Sequence, residues 1–85
     1  MIKPCQVWVR SLGSIATKVR VVGVENAMWL RESLQHSGVE CTEPMEIRGS
    51  PVFTFRALHV NGIDHVKLTK IMKQVSEIEL MFEPA

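Results

Sequence analysis

Three histidines, two cysteines and three turn serines are the side chains of this 85-residue sequence that most often carry chemistry. His36, His59 and His65 form no HxH, HExxH or HxxxH pair, and no Cys–His spacing matches a zinc site. A centre built from Cys41, His36 and His59 would need tertiary convergence that spacing does not supply. Ser11, Ser14 and Ser50 fall in turns without a GxSxG context, and Gly13, Gly23 and Gly38 are too isolated to cradle a phosphate. The residues therefore predict no catalytic constellation, no metal and no cofactor. The enzyme alternative is a small-molecule site between helix and sheet using His59 or Cys41.

Cys5 and Cys41 stand in no CxxC arrangement. A small secreted scaffold is denser in cysteine, so the pair is read as reduced thiols in a cytoplasmic protein. A Cys5–Cys41 bridge stays open, because Cβ separation is not written in a sequence. No apolar run approaches the roughly 20 residues that span a bilayer, and the opening Met-Ile-Lys-Pro-Cys-Gln has no signal-peptide pattern.

Charge gives a stronger pattern than chemistry. Ten Lys and Arg against nine Asp and Glu leave +1, so no overall basic excess announces nucleic acid. Locally the chain alternates in sign. Residues 1–24 carry Lys3, Arg10, Lys18 and Arg20 with no acid, and residues 25–46 carry five Glu against Arg31. Residues 47–73 carry five basic side chains against Asp64, and the tail holds Glu77, Glu79 and Glu83.

The elements that position these charges follow from periodicity. Residues 6–10 alternate Val7 and Val9 against Gln6, Trp8 and Arg10, and Ser11–Ser14 reads as a turn. Residues 15–24 place Ile15, Thr17, Val19 and Val21 on one strand face and Lys18 and Arg20 on the other. A helix is predicted over 26–35 from the Ala27, Leu30, Leu34 stripe, capped by Asn26 and ended at Gly38. Strands over 39–48 and 52–60 form a hairpin across Gly49-Ser50-Pro51. A second helix, capped by Asp64, carries Leu68, Ile71, Met72 and Val75 inward and Lys67, Lys70 and Lys73 outward. A last strand covers 78–83.

From residue 15 onward the order is β-α-β-β-α-β, which resembles the ferredoxin-like fold: an α+β, two-layer sandwich in one domain. The strand at 6–10 is extra. Either it joins an edge, or the sheet order departs from the fold, because the strand at 15–24 already has two neighbours in a ferredoxin-like sheet. By parity the open face carries Lys18, Arg20 and Arg56 on central strands, flanked by Glu40 and Glu46 on one edge and Glu79 and Glu83 on the other. Cross-strand pairing of opposite charges explains both signs without a ligand.

A second resemblance is weaker. Gly49-Ser50-Pro51-Val52-Phe53, a strand, Asn61-Gly62 and a helix resemble the proline-led half of thioredoxin-like domains. The slots where such domains carry redox cysteines would hold Ala27 and Leu30, so that resemblance implies a redox-inactive protein.

Function is therefore expected at the surface. The sequence is read as a small non-catalytic binding or assembly module, self-associating as a dimer through its sheet face or edge, with Trp8 and Trp29 as contact residues. The alternative is RNA or another polyanion on Lys18, Arg20 and Arg56. Sheet-based RNA readers need exposed aromatics; here Phe53 and Phe55 point inward by parity, which leaves Trp8. No membrane partner is expected.

Overall fold

The computed structural model describes residues 5–75 and 78–84. Seven elements follow in the order β1 (Cys5–Ser11), β2 (Ala16–Val22), α1 (Val24–His36), β3 (Met45–Glu46), β4 (Val52–Leu58), α2 (His65–Val75) and β5 (Ile78–Phe82). Five strands make one mixed sheet in the order β3-β4-β2-β1-β5, an α+β architecture. All neighbours run antiparallel except β1 and β5, which run parallel.

This order differs from the four-stranded ferredoxin-like expectation at one place. β1 folds back on β2 through a turn at Gly13, whose φ of 72° is open to glycine without strain. The hairpin inserts β1 between β2 and β5, so the extra strand is neither an edge nor an appendage. The thioredoxin-like alternative needs the strands before and after α1 to lie side by side, and here β4 separates β2 from β3.

The core follows the alternation. Val7 and Val9 on β1, Val19 and Val21 on β2, and Phe55 and Ala57 on β4 all face the helices and are buried. Ala27, Leu30 and Leu34 of α1 and Leu68 and Met72 of α2 close over them. Trp29 is half-buried and packs against this cluster, at the seam between α1 and the sheet. Cys5 and Val75, read above as a thiol and as part of the core stripe, are described in their backbone alone.

Boundaries shift at both ends of α1. The helix starts at Val24, with Gly23 at its N-cap position (φ 93°) and no side-chain cap. Asn26, expected to cap, lies inside the first turn and donates to the Val22 carbonyl at 3.0 Å. Asp64 does cap α2: its Oδ1 accepts from the Lys67 backbone N–H at 2.9 Å.

The largest correction concerns the strand expected over 39–48. Cys41 bridges Ala57, while Met45 pairs with Thr54. Four steps along one strand thus match three along the other, which is a bulge of one residue around Pro44. Each such slip moves every later side chain to the opposite face. Met45 accordingly lies on the open face, 70% exposed, and Glu46 sits opposite Phe53 on the helix side. Thr42 fills the gap in the ladder: its N–H donates to the Arg56 carbonyl and its Oγ1 accepts from the Arg56 N–H, both at 2.9 Å.

Candidate functional site

Register places four cations on the face away from the helices. Arg10 stands opposite Lys18, and Lys18 stands opposite Arg56, so three adjacent strands present three positive side chains in one row. Side chains directly opposite have Cβ atoms about 5 Å apart, and like charges so placed repel. One row along, Trp8 faces Arg20, and Arg20 faces Thr54. Lys18, Arg20 and Arg56 were expected together here. Arg10 was missed, because it belongs to the strand whose position sequence alone left open.

The counter-charges are fewer than expected. Glu83 meets Arg20 at 3.5 Å, as the edge-acid pattern requires. That pair also holds the Arg20 guanidinium 5.3 Å above the centre of the Trp8 ring, a cation–π contact. On the other edge the bulge turns Glu46 away. Glu43 borders the row, but its carboxylate binds Arg31 of α1 at 3.1 Å. Among the described residues, Arg10, Lys18 and Arg56 form no salt bridge. They line an open depression of about 510 Å³ with Thr42, Thr54 and Met45.

This arrangement is suited to a chain of negative charges lying across the strands. Trp8 is the one aromatic ring on that face among the described residues, and Arg20 covers it. Phe53 and Phe55 point inward, as their parity predicts. Lys67, Lys70 and Lys73 stay solvent-exposed on α2; Lys73 reaches the Phe82 ring at 6.0 Å.

Cys41 is a free, half-buried thiol. Burial pushes it up to about 11, against the weaker opposing pull of the Arg31 charge. A thiol so held is a poor nucleophile at neutral pH. His36 and Cys41 do not converge with His59: among the described residues no group of three or more His, Cys, Asp or Glu side chains is placed to hold a metal ion. His59 instead meets His65 across Thr17, a pairing that no spacing rule announces. Thr17 is fully buried, and its Oγ1 lies 2.7 Å from His59 Nε2 and 2.9 Å from His65 Nδ1.

No helix among the described residues is long and apolar enough to cross a membrane. No family model, curated protein or solved structure matches this chain. The reading of the site therefore rests on its geometry.

Proposed function

We propose that this protein is a small non-catalytic binding module whose open sheet face takes a polyanionic chain, such as the phosphate backbone of single-stranded RNA. We read its sheet as a ferredoxin-like β-α-β-β-α-β sandwich widened by one inserted strand. The observation that carries the function is the Arg10–Lys18–Arg56 row, three cations across three strands without a carboxylate partner among the described residues. Such a row costs folding energy and is relieved by a bound anion. Recognition is of charge and not of sequence, because one covered tryptophan is a poor platform for stacking bases.

The test is fluorescence anisotropy of a labelled single-stranded RNA of about ten nucleotides across a salt series. Releasing counterions from three phosphate contacts gives a slope of log K against log salt of about −2. Lys18→Gln should weaken binding and flatten that slope by about 0.7, one contact's share. No binding at about 50 mM salt, or a slope unchanged in Lys18→Gln, overturns the reading. Inorganic polyphosphate as competitor separates charge recognition from base recognition.

Self-association through the sheet edge is a second reading, favoured by a separate observation. The outer edge of β5 has no strand neighbour among the described residues, and Phe82, its last residue, is 59% exposed. Pairing face to face is disfavoured, since a two-fold axis would bring two basic rows together. Sedimentation at about 50 and 500 mM salt tests the edge: a dimer joined there by β pairing persists at both salts, because apolar contacts are not screened. A monomer at every concentration removes this reading.

A further inference from the structure

The Thr17, His59 and His65 cluster lies on the helix side of the sheet, apart from the cationic face. Thr17 comes from β2, His59 follows β4, and His65 is the first residue of α2. His59 and His65 both line one depression of about 490 Å³ at that end of the sheet, together with Ser14 and Asp64.

A threonine hydroxyl has a single hydrogen and two lone pairs. Thr17 is 0% exposed, and among the described residues its Oγ1 has only the two ring nitrogens as partners. If both rings donated to it, its own hydrogen would be buried without an acceptor, at a cost of about 1–3 kcal/mol. If neither donated, one nitrogen lone pair would face the oxygen lone pairs. The satisfied arrangement has one ring donating to Thr17 and the other accepting from it.

That arrangement fixes the remaining nitrogens. Suppose Thr17 donates to His59 Nε2. Then His59 carries its hydrogen on Nδ1, and His65 donates through Nδ1–H and keeps Nε2 bare. In the opposite sense both rings carry Nε2–H, and His59 Nδ1 is bare. Either way the two neutral rings share one tautomer, and their remaining nitrogens are one donor and one acceptor.

We propose that His59 and His65, bridged by Thr17, form a binding site for a carboxamide group, which supplies one carbonyl acceptor and one N–H donor to match. A carboxylate is a poorer fit. It brings no hydrogen for the bare nitrogen, and the Asp64 carboxylate on the rim repels it.

The test uses the full-length chain, labelled with nitrogen-15, at about pH 8, where ordinary histidines are neutral. Ring-nitrogen correlation spectra should give His59 and His65 the same tautomer. Thr17→Ser should keep that lock and Thr17→Val should release it, with backbone amide spectra reporting that each variant is folded. Acetamide should shift the ring nitrogens of both histidines, while exposed His36 serves as the control and acetate at equal concentration leaves the pair unmoved. Rings of opposite tautomer overturn the proposal, as does a lock that survives in folded Thr17→Val. Equal effects of acetamide and acetate, or none from either, overturn it as well. Where Thr17→Val fails to fold, the tautomers of the wild type and of Thr17→Ser decide the matter. RNA binding on the opposite face is independent of every outcome.

Discussion

Lys18 stands between Arg10 and Arg56, so neutralising it tests whether the row is repulsive in the free protein. With Cβ atoms about 5 Å apart and the charges at the ends of long side chains about 7 Å apart, each pair costs about 0.6 kcal/mol in water. Two pairs give about 1.2 kcal/mol before screening. A Debye length of about 30 Å at 10 mM salt leaves about 0.9 kcal/mol, and one of about 3 Å at 1 M leaves about 0.1. Lys18→Gln should therefore raise Tm by about 4–7 °C at 10 mM salt, using the usual conversion for a domain of this size. At 1 M salt the electrostatic part of the gain should fall to about 0.5 °C. Thermal unfolding followed by circular dichroism at the two salts measures it. Any difference in strand propensity between lysine and glutamine is the same at both salts, so the change in the gap isolates the charge. A gap that does not shrink with salt would refute the reasoning, because the three side chains would then have splayed apart beyond each other's field.

The other expectations each touch one named contact. Glu83→Gln removes the partner of Arg20; stability should fall by less than about 1 kcal/mol, since the pair is partly exposed, while single-stranded RNA binds more tightly in the same anisotropy assay. Cys41, in a Cys5→Ser background, should react with a disulfide reagent about tenfold faster per pH unit from 7 up towards 11, and Arg31→Gln should slow it further. The same shift has a stability sign: the folded state holds the Cys41 proton more tightly than the unfolded chain, so stability is intact below about 9 and declines as pH rises towards about 11. Cys41→Ser should lack that decline in chemical denaturation. Asp64→Ala should cost about 1 kcal/mol in urea unfolding by uncapping α2.

Much of this fold was legible because its strands alternate cleanly. Val7, Val9, Val19 and Val21 declared the buried face of β1 and β2, and the stripe of Leu68 and Met72 declared that of α2. Two things stayed hidden. The partner of β1 depends on whether a hairpin or a crossover wins, and local pattern is identical in both. The parity beyond Cys41 depends on one extra residue near Pro44, and a bulge leaves no trace in the alternation of Met45 and Ile47 with Glu46 and Arg48. The Thr17 cluster was invisible for a third reason. Thr17 reads as an ordinary strand residue, and its histidine partners lie 42 and 48 positions away.

These hidden features are also the ones that make the cationic face. In a four-stranded ferredoxin-like sheet β5 would lie against β2, and Glu79 and Glu83 would flank Lys18 and Arg20 directly. Inserting β1 moves β5 one strand outward and puts Arg10 in the row, so the acids on that side reach only as far as the Arg20–Glu83 pair. The bulge does the same on the other side by turning Glu46 to the helix face. Two independent departures from regular pairing therefore both remove negative charge from one surface. Charge alternation along the chain, which would have neutralised an ideal sheet, leaves this one with three adjacent cations on a face that also bears Trp8. A stability gain in Lys18→Gln joined to a loss of RNA affinity would mean that this row is kept at the expense of folding energy for the sake of a ligand.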